Sequence, residues 1–242
     1  MTTTTGRPSS KQRHGWQAWL GSFFTSDIGM KWMMALTGIG LLLYVVIHML
    51  GNLKIFFGPE EINHYGEALR DLGGALVPRT HLLWIMRFGL IAAFAIHIWA
   101  AAVLTRRNWA ARGKIRYDQR NYVAANYAAR TMRWGGIIVL LFVFYHLADL
   151  TWGLTNPDFV RGDPYHNIVE SFSRWWVALF YIIAQVVLAL HIYHGAWSMF
   201  QSLGLSNPRY NDWRRALAVA LAAVILVGNC AIVIAVQTGI VS

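Results

Sequence analysis

Histidines within apolar stretches are the residues of this 242-residue chain best suited to chemistry. Ionisable side chains are costly in an apolar environment and mark functional sites by default. Histidine is a common metal ligand, and two histidines can hold one haem iron. Four apolar stretches each carry at least one histidine, which favours a metal or haem role over isolated structural histidines. These residues are His48, His97, His146, His191 and His194, accompanied by Asp149.

The stretches that carry these histidines have the length of membrane spans, because about 20 apolar residues in a helix cross roughly 30 Å of hydrocarbon. The chain is 56% apolar and only 13% charged, which disfavours a soluble domain, a disordered chain and a disulfide scaffold. We predict an all-α integral membrane protein with five transmembrane helices, the first four forming a cofactor-binding bundle. The predicted spans are 32–50, 82–104, 134–152, 175–200 and 216–236, in a membrane domain 32–242 that follows a cytoplasmic or interfacial segment 1–31.

Basic residues concentrate on one side of these spans. Four precede the first span, eight lie between the second and third, and three lie between the fourth and fifth. Eight of the 11 acidic residues lie on the opposite side. The positive-inside rule places the N-terminus in the cytoplasm and the C-terminus outside. The net charge of +10 is therefore a topology signal, and it does not require nucleic acid as a partner.

Depth along the spans sorts the histidines into two pairs. At about 1.5 Å per residue, His48 lies roughly 24 Å and His146 roughly 18 Å above the cytoplasmic start of its span. Spans two and four run the other way, so His97 and His191 fall in the inner half. We name His48 and His146 the outer pair, and His97 and His191 the inner pair. Each pair can clamp one iron, and two stacked redox centres would carry electrons through the membrane.

Three further residues leave alternatives open. His194 lies at i+3 from His191, so either can be the inner ligand while the other bonds a propionate or a quinone. Asp149 lies one turn beyond His146, where it can be a capped interfacial residue, bond a quinone, pass protons or act as a ligand. Together with Cys230 and several histidines it could hold a His-ligated iron–sulfur cluster. A site of two histidines and two cysteines would need a partner, because the chain has one cysteine.

The chain resembles the membrane subunit of complex II, succinate dehydrogenase/fumarate reductase, in its single-chain, five-helix cytochrome b form. The resemblance rests on HMLGN, NHYGEALR, RTMRWGGIIVLLFVFYHLADLTWG and HGAWSMFQSLG, and it covers about residues 25–205. It implies an anchor for a flavoprotein and an iron–sulfur subunit on the cytoplasmic face of a bacterial-type membrane. Electrons from succinate would reach a membrane quinone, expected to be menaquinone. The resemblance also implies up to two haems b, with axial ligands at His48, His97, His146 and His191.

Two polar clusters at the ends of the spans are candidate quinone contacts, because quinone reduction needs hydrogen-bonding groups and protons beside an apolar cleft. The family places quinone contacts just before span one, beside the iron–sulfur subunit, and an acid that Glu67 resembles near an outer quinone pocket. The inner cluster is Ser26, Asp27 and Lys31, and the outer cluster is His64, Tyr65, Glu67 and Arg70.

Three other functions compete with an electron-transfer subunit. The first is a cofactor-free structural anchor of the same complex, in which the histidines bond within the bundle; iron content separates these two. The second is a cytochrome b anchor of another respiratory dehydrogenase, against which HMLGN and HGAWSMFQSLG argue. The third is a secondary transporter. An inverted repeat or a pair of helices broken by Gly or Pro would favour this function, and we find neither in the sequence.

Overall fold

The computed structural model describes residues 15–112 and 123–242, and within these ranges the chain forms eight α-helices and no β-strand. The predicted all-α class is therefore confirmed. Six of the basic residues used for the orientation lie outside the described ranges: Arg7, Lys11, Arg13, Lys114, Arg116 and Arg120. The helices are α1 (Trp16–Thr25), α2 (Asp27–Asn52), α3 (Pro59–Ala68), α4 (His81–Arg112), α5 (Val123–Leu150), α6 (Pro164–Ser173), α7 (Trp175–Ser202) and α8 (Asn211–Gln237).

Five of these helices are long and apolar enough to cross a membrane, as predicted: α2, α4, α5, α7 and α8. They expose large apolar side chains along their length, among them Trp84, Phe88 and Ile91 on α4. Such side chains face lipid in a membrane protein. The helices are longer than the predicted spans. For example, α2 begins at Asp27 because the Ser26 hydroxyl caps it, accepting a hydrogen bond from the Gly29 N–H at 3.0 Å.

Four of the spanning helices pack as two antiparallel pairs, and the fifth, α8, packs against one helix of each pair. Helix α2 packs along α4, and α5 packs along α7. The two pairs meet through contacts between α2 and α7, and α8 packs against both of these helices. An amide pair joins α7 to α8 inside the apolar region, where Asn229 Nδ2 donates to Gln185 Oε1 at 2.9 Å. Helix α7 therefore lies at the centre of the packing.

The short helices cover opposite ends of this assembly. At the α1 end, Arg107 on α4 donates to the Asp27 carboxylate at 2.6 Å and to the Thr25 carbonyl at 2.8 Å. At the other end, which we call the α6 end, α3 and α6 meet where Asn63 Nδ2 donates to Asp163 Oδ1 at 2.9 Å. Much of the buried apolar core also lies at the α6 end, and it includes Ile168 of α6.

Candidate functional site

The four paired histidines project between the helices and meet as predicted from their depth. His48 on α2 faces His146 on α5, with ring centroids 5.8 Å apart and rings at 87°. His97 on α4 faces His191 on α7, with ring centroids 6.4 Å apart and rings at 69°. Each histidine pair thus connects the two helix pairs: one histidine lies on α2 or α4, and the other lies on α5 or α7.

The two sites are stacked along the bundle. A side chain at Gly38 on α2 would come within 3.2 Å of the His97 ring, so this ring lies level with Gly38. His48 follows ten residues later on the same helix, roughly 15 Å farther along the axis. Likewise the His191 ring lies beside Gly136 on α5, ten residues before His146. Both helices therefore give the same separation of the two pairs.

The spacing of each pair fits one metal ion held from opposite sides. Imidazole nitrogens lie at about 2.0–2.1 Å from a bound ion, which puts the centres of two opposed rings roughly 6 Å apart. The observed 5.8 Å and 6.4 Å lie on this scale. Within the described residues, no three His, Cys, Asp or Glu side chains converge as a metal site. An ion held by either pair would take two nitrogen ligands from it and would need its remaining ligands from elsewhere.

One ring of the inner pair, His97, is held by a backbone carbonyl. His97 Nδ1 lies 3.0 Å from the Met34 carbonyl and 3.3 Å from the Thr37 hydroxyl. A carbonyl only accepts hydrogen bonds, so Nδ1 carries the proton and Nε2 keeps its lone pair for a ligand bond. In the described part of the chain, no hydrogen bond of good geometry reaches the buried Nδ1 of His191. The Met132 carbonyl is the backbone group that interacts with this ring electrostatically.

The structure separates His194 from the inner pair. Its Nε2 lies 3.5 Å from the Thr131 hydroxyl, at the limit of a hydrogen bond. His191, and not His194, therefore faces His97.

The outer pair has different surroundings. The His48 ring stacks on Tyr44, with centroids 5.4 Å apart, and its Nε2 accepts from the Asn52 side-chain amide at 3.3 Å. A ligand bond from this nitrogen would replace that hydrogen bond. The opposite ring, His146, places its Nδ1 3.5 Å from the Tyr181 hydroxyl.

Asp149 is fully buried beside the outer pair and holds several elements together. One carboxylate oxygen accepts from the Arg174 guanidinium at 3.0 Å and from the Thr155 hydroxyl at 3.3 Å. The other accepts from the Tyr181 hydroxyl at 3.0 Å and from the Ser171 hydroxyl. Both oxygens are thus engaged within the chain. The sequence analysis did not predict this ion pair with Arg174; it proposed that Asp149 is a capped interfacial residue, bonds a quinone, passes protons or acts as a ligand.

A repeated pattern in the sequence marks the two halves of this site. MALTGIGLLLYVVIH (34–48) and MRWGGIIVLLFVFYH (132–146) share Met, Gly and His at identical positions, 98 residues apart. The first segment belongs to α2 and the second to α5. The repeat therefore relates one member of the outer pair to the other, and it could have predicted that the two face each other.

The inner quinone candidates lie at the α1 end. The Ser26 hydroxyl donates to the Phe23 carbonyl at 2.6 Å and caps α2, so both its donor and acceptor functions are in use. Asp27 pairs with Arg107, and Lys31 is exposed.

The outer quinone candidates lie at the α6 end and in the connection that follows α3. Glu67 forms ion pairs with Arg70 and Arg79, and the Tyr65 ring packs against Gly51. His64 lies one residue before Tyr65 on α3. These residues form a salt-bridged surface rather than a closed pocket.

Comparison with known proteins finds one family that resembles part of the chain. Residues 117–230 match the succinate dehydrogenase/fumarate reductase transmembrane subunit family. This segment of the chain is therefore similar to that family. No curated protein and no solved structure shows a significant match. The match supports the predicted family, and the five long apolar helices support a multi-pass membrane protein.

The family match covers one histidine of each pair. His146 and His191 lie within residues 117–230, together with Asp149. Their partners His48 and His97 lie before the matched segment, and only the fold brings them opposite.

Proposed function

We propose that this chain is the membrane anchor and electron-transfer subunit of a succinate:quinone oxidoreductase, in which the outer pair and the inner pair each hold one haem b. The observation that carries this proposal is the stacking of two histidine pairs, each with ring centroids about 6 Å apart, inside a helical bundle. The match to the succinate dehydrogenase/fumarate reductase family supports the complex to which the chain is assigned.

Haem suits these sites better than an iron–sulfur cluster does. Each pair offers two nitrogens, and the porphyrin supplies the other four ligands of a haem iron, whereas a cluster takes four ligands from protein. When bound, haem takes up and releases one electron at a time. The chain's own contribution is to hold the imidazoles: the Met34 carbonyl orients His97, and the Gly38 and Gly136 positions leave room beside the inner rings.

The α1 end faces the cytoplasm in this proposal and receives the iron–sulfur and flavoprotein subunits. Support comes from the basic residues at this end, which include Lys31, Arg106 and Arg107. Quinone reduction is assigned to the Ser26–Lys31 segment, where the exposed Lys31 can bind a quinone carbonyl. Ser26 caps α2, and Arg107 of α4 donates hydrogen bonds to the residues on either side of Ser26, Thr25 and Asp27. These contacts hold the start of this segment against α4. The salt-bridged surface around Glu67 is the second candidate.

An optical spectrum of the purified complex tests the proposal. We expect a dithionite-reduced minus oxidised difference spectrum with a b-type α band equal to about two haems per chain, one for each bis-histidine site. Total iron and acid-labile sulfide are measured on the same sample. Excess iron and sulfide without an α band would replace haem by a His-ligated cluster. No excess iron would leave a cofactor-free anchor.

A further inference from the structure

We propose that Tyr181 and Asp149 form a hydrogen-bond relay that fixes the tautomer of His146 and strengthens it as a metal ligand. The inference rests on the proposed function, in which His146 is an axial ligand. Its starting point is the chain of contacts from His146 Nδ1 to the Tyr181 hydroxyl, at the 3.5 Å limit of a hydrogen bond, and from that hydroxyl to Asp149 Oδ2 at 3.0 Å.

The direction of these hydrogen bonds follows from proton counting. A tyrosine hydroxyl has one proton, and a carboxylate oxygen can only accept. The Tyr181 proton therefore points to Asp149, and its oxygen lone pair is left to face His146. This arrangement requires a proton on His146 Nδ1, so Nε2 keeps the lone pair that a metal needs.

The charge at the end of the relay gives it strength. Hydrogen bonds to a carboxylate are stronger than those between neutral groups, and partners of this kind raise the basicity of a ligating histidine. Asp149 is fully buried and paired with Arg174, which balances its charge from the carboxylate oxygen that Tyr181 does not contact. The Ser171 hydroxyl holds the same carboxylate oxygen in place. Tyr181 is itself buried, at 3% exposure, so water does not compete for the contact.

The repeat shows that the relay belongs to one ligand of the outer pair. His48 corresponds to His146, and the position three residues later is Gly51 on α2 but Asp149 on α5. On the other two helices, the position ten residues before the inner histidine is Arg87 on α4, before His97, and Tyr181 on α7, before His191. The half of the bundle formed by α5 and α7 therefore carries an acid and a hydroxyl where the other half carries glycine and a cation.

Redox titration of the complex tests the relay through a property other than activity. A basic ligand stabilises the oxidised, more positive iron, so Tyr181→Phe is expected to shift the midpoint potential of the outer centre upward. Asp149→Asn should shift it in the same direction, partly through the direct electrostatic effect of the carboxylate on the centre. The double variant should shift it by less than the sum of the two single shifts, because the rest of the effect of Asp149 passes through Tyr181. In His97→Ala the inner centre is lost, so the midpoint potential that remains in this variant is that of the outer centre.

Tyr44→Phe is the matched control, because it removes a hydroxyl on the His48 side and keeps the stacked ring. It should leave the outer potential unchanged, and the inner potential should not move in any of these variants. An unchanged outer potential in Tyr181→Phe, or additive shifts in the double variant, would overturn the relay.

Solid-state ¹⁵N spectra of the histidine-labelled chain decide the same point without a cofactor. His146→Gln identifies the signals of His146, and the relay requires a proton on Nδ1 in the wild type that is no longer fixed there in Tyr181→Phe. Protonation at Nε2 in the wild type would overturn the proposal. A complex without haem would contradict the proposed function, and these spectra would still decide the relay.

Discussion

The outer and inner pairs each consist of two facing histidines, with ring centroids 5.8 Å and 6.4 Å apart, but they are held by different groups. His97 of the inner pair is oriented by a backbone carbonyl, that of Met34, at 3.0 Å. His146 of the outer pair meets a side-chain relay that ends on the buried carboxylate of Asp149. A carbonyl is neutral and cannot be removed by mutation, whereas the relay is charged and can be. In the proposed function, the same type of ligand would therefore be tuned differently at two depths of one bundle.

The largest effect on this comparison should come from removing a ligand from one pair at a time. His97→Ala removes an inner ligand and His48→Ala an outer one, so each variant should retain about half of the α-band amplitude. His194→Ala is the matched control, because this histidine lies beside Thr131 and not between the pairs. Reduced minus oxidised spectra of the purified complexes provide the measurement. Full amplitude in His97→Ala, or loss in His194→Ala, would contradict the assignment of the inner ligands.

The next largest effect should be on the stability of the complex, when the buried carboxylate beside the outer pair is removed. Asp149→Ala leaves the Arg174 guanidinium without its anion, and breaking a buried ion pair in this way typically costs about 3–5 kcal/mol. Arg174 is only 21% exposed, so water replaces the lost partner poorly. We expect a clear drop in the melting temperature of the complex. Glu61→Ala, which removes an exposed partner of Lys54 at the same end, should change it little. Equal melting temperatures for the two variants would show that the Asp149 cluster is not structural.

The features that could be predicted from sequence are those that the chain repeats or spaces regularly. Apolar length predicts the five helices, and a constant rise per residue predicts which histidines share a depth. The contacts between His48 and His146, and between His97 and His191, follow from these two quantities.

The partners of Asp149 could not be predicted in the same way. Arg174 lies 25 residues away along the chain, beyond an irregular connection and the short helix α6. Periodicity carries no information about how such a connection folds, so an interfacial arginine could not be matched to a particular acid. The caps that extend α2 beyond its predicted span are likewise local hydrogen bonds, which an apolar run does not reveal.

A smaller effect should appear where the inner rings lie against glycine. A Cβ at Gly38 would lie 3.2 Å from His97 Cε1, and one at Gly136 would lie 3.5 Å from His191 Cε1. The first distance forces the ring to move, while the second is an ordinary contact. Gly38→Ala is therefore expected to broaden or shift the spectrum of the inner centre more than Gly136→Ala does, with the outer centre unaffected. Gly40→Ala, where a Cβ would meet no atom within 4 Å, is the control. An effect of Gly38→Ala on the outer centre alone would contradict this placement.

The smallest effect should come from Thr37, the side chain beside the backbone anchor of His97. Its hydroxyl donates to the Met33 carbonyl at 2.6 Å, so only its lone pair faces His97 Nδ1, at 3.3 Å. The shorter contact to the Met34 carbonyl remains after Thr37→Val, and the His97 tautomer should persist. We expect a shift of the inner midpoint potential that is smaller than the outer shift in Tyr181→Phe. A larger shift would mean that the inner ligand, too, depends on a side-chain hydroxyl, and the contrast between a backbone-held and a relay-held centre would fail.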